Sequence, residues 1–217
     1  FNDAPVITSF TTPVSYTEAR TAVLAASSAL LTDADSNFAG GVLTISLISG
    51  GGSADVLAIR SQGVANGRIN LDGANITYQV AEIVSVIGTW SGGDGVNPLV
   101  VSFNGNATRS AVQAVLRNVT FRVIGSTPNS SRTMEITLTD GDGGTSTPVQ
   151  RTINVIAVND APVVVTSEGS SSYMENDPAI IIDSAVTVSD VDSTNFEGGK
   201  LTISIAVNRQ TTDRLTI

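Results

Sequence analysis

The pentapeptide Asn-Asp-Ala-Pro-Val occurs twice in this chain, at residues 2–6 and at residues 159–163. Further matches follow at the same step of 157 residues, beginning with Tyr16 and Tyr173. The other matched pairs are Glu18 with Glu175, Asp33 with Asp190, Asp35 with Asp192 and, after one inserted residue, Phe38 with Phe196 and Asp55 with Asp213. The sequence therefore predicts a tandem repeat, with one complete unit over residues 1–158 and the first part of a second, truncated unit over residues 159–217.

The composition favours strands over helices. Hydrophobic residues make up 41% of the 217 residues, which is enough to bury a core, and aromatic residues only 5%. Val, Ile, Thr, Ser and Gly are the residues of short strands and turns. We therefore expect an all-β chain.

Period-two alternation marks individual strands, such as the run through Leu43, Ile45 and Leu47 and the run through Met134 and Ile136. The other predicted strands are 76–80, 84–87, 99–103, 119–123, 152–157, 163–166 and 201–205. Glycine-rich turns separate them. This arrangement is typical of an antiparallel, immunoglobulin-like β-sandwich.

One segment has helical spacing instead. Ala111, Val112, Val115 and Leu116 recur at i, i+3 and i+4, and they follow Thr108, a residue type that caps helix N-termini. The sequence predicts one short helix here, which closes one end or edge of the sandwich.

Charge and missing residue types exclude several functions. Eleven basic residues stand against 20 acidic ones, a net charge of −9, so we expect no nucleic acid partner. The chain has no Cys and no His, which excludes catalytic triads and zinc-finger ligand sets. We therefore predict no catalytic residues. The apolar run 22–26 is too short to cross a bilayer, so we expect no membrane insertion. We also expect the chain to be a piece of a larger protein.

Acidic residues recur at predicted strand ends. They include Glu18, the pair Asp33 and Asp35, and the pair Asp140 and Asp142. In a D-x-D sequence, both side chains can converge on one cation. Oxygen ligands without nitrogen or sulfur donors favour calcium among biological metals.

A second interpretation of these residues stays open. Asp and Asn are common turn residues, and the NDAP segment can serve only as a stiff linker. Against this, four carboxylates at one junction would repel one another without a cation, at about 1 to 4 kcal/mol per close pair. These four are Glu18, Asp160, Asp190 and Asp192.

An early Glu, a D-x-D pair about thirty residues after an N-D-x-P linker, and the late run "TLTDGDGG" followed by "INVIAVNDAPV" resemble the cadherin-like repeats of large bacterial surface proteins. The resemblance implies calcium at the junctions between repeats. It places Glu18, Asn159, Asp160, Asp190 and Asp192 at the junction within this chain. It places Asn2, Asp3, Asp33, Asp35 and Asp140 at a matching site toward a preceding repeat.

The chain departs from that family pattern at two places. No acidic L-D-R-E-like motif follows Ile69, and Ala157 stands where the family linker begins with Asp. Fewer carboxylates imply that fewer calcium ions bind or that they bind more weakly.

The resemblance implies a structural role in a calcium-rigidified extracellular or cell-surface stalk, adhesin or filament. Its partners would be neighbouring repeats, and also like molecules in a filament or cell-surface glycans. We expect the second unit to be completed by its own chain or by a neighbour. The alternative function is a module that binds a polysaccharide or a protein through loops near Trp90.

Overall fold

The computed structural model describes residues 2–8, 11–34, 38–126, 128–193 and 195–217. Contacts divide the chain into two compact units, Phe1–Asn159 (unit 1) and Asp160–Ile217 (unit 2). The predicted repeat boundary after residue 158 rests on the sequence and stays a prediction. Within the described residues, no helix has the length and apolar character needed to span a bilayer.

The described residues form many short strands and one helix, which confirms the predicted all-β class with a single short helix. In unit 1 the strands are β1 (Val6–Thr8), β2 (Val14–Thr17), β3 (Val23–Leu24), β4 (Leu30–Thr32), β5 (Val42–Ser49), β6 (Asp55–Ile59), β7 (Ile69–Asp72), β8 (Asn75–Val80), β9 (Ile83–Ser91), β10 (Leu99–Phe103), β11 (Val119–Val123), β12 (Ser131–Thr139) and β13 (Val149–Ile156). The helix is α1 (Arg109–Arg117). Unit 2 contains β14 (Val163–Val165) and β15 (Thr187–Ser189).

Unit 1 is built from three sheets. The largest has eight strands in the order β2-β13-β12-β5-β10-β9-β8-β7, and a second has the order β3-β11-β6. Strands β1 and β4 form a two-stranded ladder. Each pairing is antiparallel except that of β13 with β2, which is parallel.

The eight-stranded and three-stranded sheets face each other across one core, which makes unit 1 sandwich-like. Tyr16 on β2 meets Phe121 on β11 edge to face, with ring centroids 5.6 Å apart. The Tyr16 hydroxyl also donates to the carbonyl of Val123 at the end of β11, at 3.2 Å. A half-buried strand needs alternation, and β12 shows it through buried Met134 and Ile136.

A buried ion pair joins the same two sheets. Arg132 on β12 reaches Asp55 on β6, with Nη2 2.9 Å from Oδ1, and the two side chains are 3% and 1% exposed. Arg132 Nε lies 3.0 Å from both carboxylate oxygens, so the pairing is a bidentate fork. Gly52 adds its backbone amide to Asp55 Oδ2 at 2.8 Å. Both charges are therefore compensated inside the core.

The helix prediction is confirmed. Thr108 caps α1, because its hydroxyl accepts the amide hydrogen of Ala111 at 3.3 Å. The four residues with helical spacing are all buried, and the helix packs against β4 and β7. The predicted strands 99–103 and 119–123 are also confirmed as β10 and β11. The predicted strand 201–205 is wrong, because those residues form no ladder.

Local features of unit 1 recur inside unit 2. The β14–β15 ladder has the register of the β1–β4 ladder shifted by the sequence step, since Val163 pairs with Ser189 as Val6 pairs with Thr32. Asp213 Oδ2 accepts the amide of Gln210 at 2.6 Å, just as Asp55 accepts that of Gly52. The tyrosine hydroxyl bonds the carbonyl four residues onward in both units. Equivalent sequences therefore form equivalent turns.

We predict that breaking the Arg132–Asp55 pair costs more than replacing it. Arg132→Met leaves the Asp55 charge buried without a counterion, and we expect a loss of about 3 to 5 kcal/mol in the free energy of unfolding. The double variant Arg132→Met/Asp55→Asn removes both charges and keeps an oxygen for the Gly52 amide, so it should be the more stable of the two. Urea unfolding of the single and double variants measures this. If the losses of unfolding free energy in the single variants Arg132→Met and Asp55→Asn add up to the loss in the double variant, the two charges do not stabilise each other.

Candidate metal centre

Glu18 and Asp140, which the sequence assigns to different ligand sets, lie at opposite ends of the eight-stranded sheet. Strands β2 and β13 run parallel, with Thr17 paired to Ile156, so Glu18 and the chain after β13 leave the sheet at the same end. Strand β12 is antiparallel to β13, so Asp140, which follows β12, lies at the other end. Glu18 and Asp140 therefore belong to separate sites.

Glu18 is a buried carboxylate at the end of β2. Its side chain is 5% exposed, and its backbone amide donates to the Ile156 carbonyl at 2.9 Å, which fixes the residue beside β13. Oε2 accepts the backbone amide of Val158 at 2.8 Å. Oε1 is buried, and no hydrogen-bond donor among the described residues reaches it. A buried carboxylate oxygen without a donor is costly unless a cation or water fills its coordination.

The remaining predicted residues of this set follow directly in the sequence. Asn159 is exposed and is the last residue of unit 1. In unit 2, the Asp160 amide donates to Asp192 Oδ2. Asp190 Oδ1 accepts the backbone amides of Asp192 at 3.0 Å and of Ser193 at 2.8 Å. The structure therefore brings Asp160, Asp190 and Asp192 into one loop network within unit 2.

Asp140 forms the most complete hydrogen-bond network at the other end of unit 1. It is fully buried, Oδ2 accepts the Asn2 side-chain amide at 2.8 Å, and Oδ1 accepts the backbone amides of Asp142 and Gly144 at 2.8 and 2.9 Å. Burial raises the pKa of Asp140, but the hydrogen bonds from Asn2 and from the amides of Asp142, Gly144 and Gly143 outweigh it. Together they hold the pKa below the ordinary value of 3.8.

Asn2 and Asp140 thus lie together, and they bond to each other. The structure gives Asp140 the geometry that the turn interpretation describes, because its carboxylate closes the loop that follows β12. Gly144 completes this loop, since a Cβ atom there would clash with Asp140 Oδ2 and lie 2.8 Å from Asn2 Nδ2. The D-G-D-G-G pattern of the sequence was the signal for this tight loop.

The other residues of that set are less closely joined. Asp3 is exposed, and Asp33 lies directly after β4 with 9% of its side chain exposed. Because β4 pairs with β1, Asp33 comes close in register to the segment that carries Asn2 and Asp3. Asp35 lies outside the described residues.

Within the described ranges, no three acidic side chains lie close enough together to hold a metal ion by themselves. A calcium ion at either end would therefore need carbonyl, amide or water oxygens in addition to carboxylates. Glu18 fits such an ion, because it offers a buried oxygen that no described donor uses. Asp140 fits less well, because its oxygens already accept hydrogen bonds from Asn2, Asp142, Gly144 and Gly143.

Trp90 has a structural position. It lies on β9, half-buried against the core, and its indole N–H donates to the Gly73 carbonyl at 3.2 Å. Trp90 is thus part of the sheet rather than of a loop.

Comparison with known proteins identified no relative. No protein-family model matches the chain, and no curated protein matches it.

We predict that Asp140→Asn destabilises unit 1 by about 1 to 3 kcal/mol at neutral pH, because the anionic acceptor of four hydrogen bonds is lost. The depressed folded-state pKa means that the stabilisation is fully present above pH 3.8 and disappears as the pH falls through the folded-state value. Urea unfolding at pH 7 and below pH 3.8 should therefore show a gap between parent and variant that narrows in acid.

The exposed neighbour provides the control for this experiment. Asp142→Asn changes a carboxylate in the same loop whose side chain is exposed, and it should leave stability almost unchanged. A calcium-dependent gap between the parent and Asp140→Asn would instead assign Asp140 a ligand role.

Proposed function

We propose that this chain is a segment of an extracellular or cell-surface stalk, adhesin or filament, built from cadherin-like, immunoglobulin-like repeats whose junctions bind calcium. The protein acts mechanically rather than catalytically. Neighbouring repeats are its principal partners.

The observation that carries the proposal is the hydrogen bonding of the buried Glu18 carboxylate. One oxygen is fixed by the Val158 amide and the other is buried without a donor among the described residues. Protein interiors rarely leave a carboxylate oxygen in this state. A bound calcium ion would satisfy the oxygen and neutralise the buried charge.

The position of Glu18 supports a junction site. Val158, which Glu18 holds, is followed by Asn159 and Asp160, so the carboxylate is attached to the linker between the repeats. In unit 2, the amide of Asp160 is held by Asp192. Each unit thus bonds a carboxylate to a linker residue of its own, Glu18 to Val158 in unit 1 and Asp192 to Asp160 in unit 2. Both backbone and carboxylate oxygens are ligands that calcium accepts.

Calcium supplies positive charge and a coordination shell that joins several chain segments. Extracellular modules bind calcium with dissociation constants of about 10⁻⁴ to 10⁻³ M, so millimolar calcium would load such a site. A loaded linker resists bending, and a linker without calcium bends freely. A series of such repeats would behave as a rod whose stiffness depends on calcium.

We predict that calcium raises the melting temperature of the 217-residue chain and that Glu18→Gln abolishes the rise. At about 100 times the dissociation constant, a ligand specific to the folded state stabilises by about 2.7 kcal/mol. In chelator, the variant should melt close to the parent. The substitution removes a buried charge, and the glutamine oxygen can still accept the Val158 amide. Thermal unfolding in chelator, in magnesium and in calcium measures both effects.

Glu82→Gln is the matched control. Glu82 is exposed in the turn between β8 and β9, so the same change of charge there should leave the calcium response intact. Equal melting temperatures of the parent protein in chelator and in calcium would refute the junction site. A calcium response that survives in Glu18→Gln would place the ion elsewhere.

A further inference from the structure

A polar cleft of about 360 Å³ lies in unit 1 beside helix α1. Its volume falls within the range of small-molecule sites. Six residues define what we name the arginine cleft: Arg60, Gln62, Tyr78, Gln113, Arg117 and Asn118. They come from the segment after β6, from β8, and from α1 and its C-terminal cap. Neither predicted calcium set contributes to it.

The charge of the cleft is opposite to that of the protein. The chain carries a net charge of −9, yet the cleft contains two arginines and no acidic side chain. The ion pair found among the described residues is that of Arg132 with Asp55, so neither Arg60 nor Arg117 has a carboxylate counterion there. Two uncompensated guanidinium groups in one concave surface attract an anion.

Both arginines are held in position. Asn118 is buried and its Oδ1 accepts Nε and Nη2 of Arg60 at 3.0 and 2.8 Å. Asn118 is fixed in turn, since its Nδ2 donates to the Ala114 carbonyl at 2.8 Å and to Gln62 Oε1 at 3.1 Å. Arg117 Nε donates to the Ala29 carbonyl at 2.7 Å. A ligand would therefore meet charges whose rotamer entropy is already reduced.

Donors remain for a ligand. The hydrogen bonds above use Nε and one terminal nitrogen of Arg60 and only Nε of Arg117. Arg60 Nη1 and both terminal nitrogens of Arg117 form no hydrogen bond with the described protein. A guanidinium group with free terminal donors pairs best with a planar carboxylate or another oxyanion.

We propose that the arginine cleft binds a carboxylate-bearing sugar unit of an acidic polysaccharide. The arginines would pair with the carboxylate, and the side-chain amides of Gln62 and Gln113 would bond ring hydroxyls. The half-buried ring of Tyr78 offers a face for the apolar side of a sugar. A peptide that adds a strand to a sheet binds through main-chain bonds at a free strand edge, whereas this cleft presents side chains and an aromatic ring. The inference goes beyond the mechanical role and does not depend on it.

The test is a titration of the 217-residue chain, in chelator, with a galacturonic acid tetramer and with its methyl ester. The two sugars share a backbone, and only the acid carries carboxylates. We expect saturable binding of the acid with a dissociation constant below about 1 mM and at least tenfold weaker binding of the ester. Acetate should compete only weakly, because it lacks the ring. Added salt should weaken binding of the acid.

Variants locate the site. Arg117→Gln should weaken binding of the acid at least tenfold, and Arg122→Gln, an exposed arginine on β11 outside the cleft, should not. Because Arg117 also bonds the Ala29 carbonyl, melting temperatures are compared first. If Arg117→Gln melts lower than the parent, Arg117→Lys and Arg60→Gln replace it.

Several outcomes would overturn the proposal. They are no saturation up to about 10 mM, equal binding of acid and ester, or equal loss in Arg117→Gln and Arg122→Gln. A glutamate-rich peptide that binds as tightly as the sugar, with the same dependence on Arg117, would assign the cleft to a protein partner instead. Competition by acetate at the concentration of the tetramer would reduce it to a general carboxylate site.

Discussion

The buried pair of Arg132 and Asp55 is the interaction on which the packing of unit 1 depends. It spans the space between the eight-stranded and the three-stranded sheets, where Tyr16 also meets Phe121. Neither charge can be buried alone at acceptable cost, so the two sheets must pack in a register that brings both together. A sheet arrangement that separates the two side chains would leave a buried charge without its counterion.

The rule that a buried charge needs a bonding partner also separates the acidic residues into two classes. Asp140 and Asp190 each accept backbone amides from the residues that follow them, so one oxygen of each carboxylate stabilises its own loop. Glu18 lies after a strand that is clamped against β13, and it finds only one donor among the described residues. A buried carboxylate oxygen without a donor can take part in binding a cation, whereas an oxygen that already accepts backbone amides has less capacity left for one. The candidate junction site rests on that distinction rather than on the number of acidic residues.

Sequence patterns predicted those elements whose signal is local. Strands β10 and β11 have the predicted bounds, and helix α1 forms at the predicted place, because alternation, helical spacing and an N-cap are all visible within nine residues. Strands β1 to β4 span only two to four residues each, which is too short for a period to show. The partners Arg132 and Asp55 are separated by 77 residues, so no local pattern could join them. The arginine cleft escaped for the same reason, since Arg60, Tyr78 and Arg117 converge only through the fold.

Unit 2 forms a short ladder and turns like those of unit 1, but it does not bury the corresponding apolar residues. Its β14–β15 ladder and its turns reproduce those of unit 1, yet residues equivalent to the core of unit 1 are exposed. Tyr16 is 1% exposed and Tyr173 59%, while Leu43 is 0% and Leu201 65% exposed. In unit 1, Leu43 lies between β10 and β12, where it pairs with Val101 and Leu138, 58 and 95 positions away. The β14–β15 ladder joins residues at most 26 positions apart, and a ladder between close segments costs less loop-closure entropy than a ladder between distant ones. Burial of the core, and with it the position of Glu18 beside β13, thus depends in unit 1 on pairings between residues far apart in the chain.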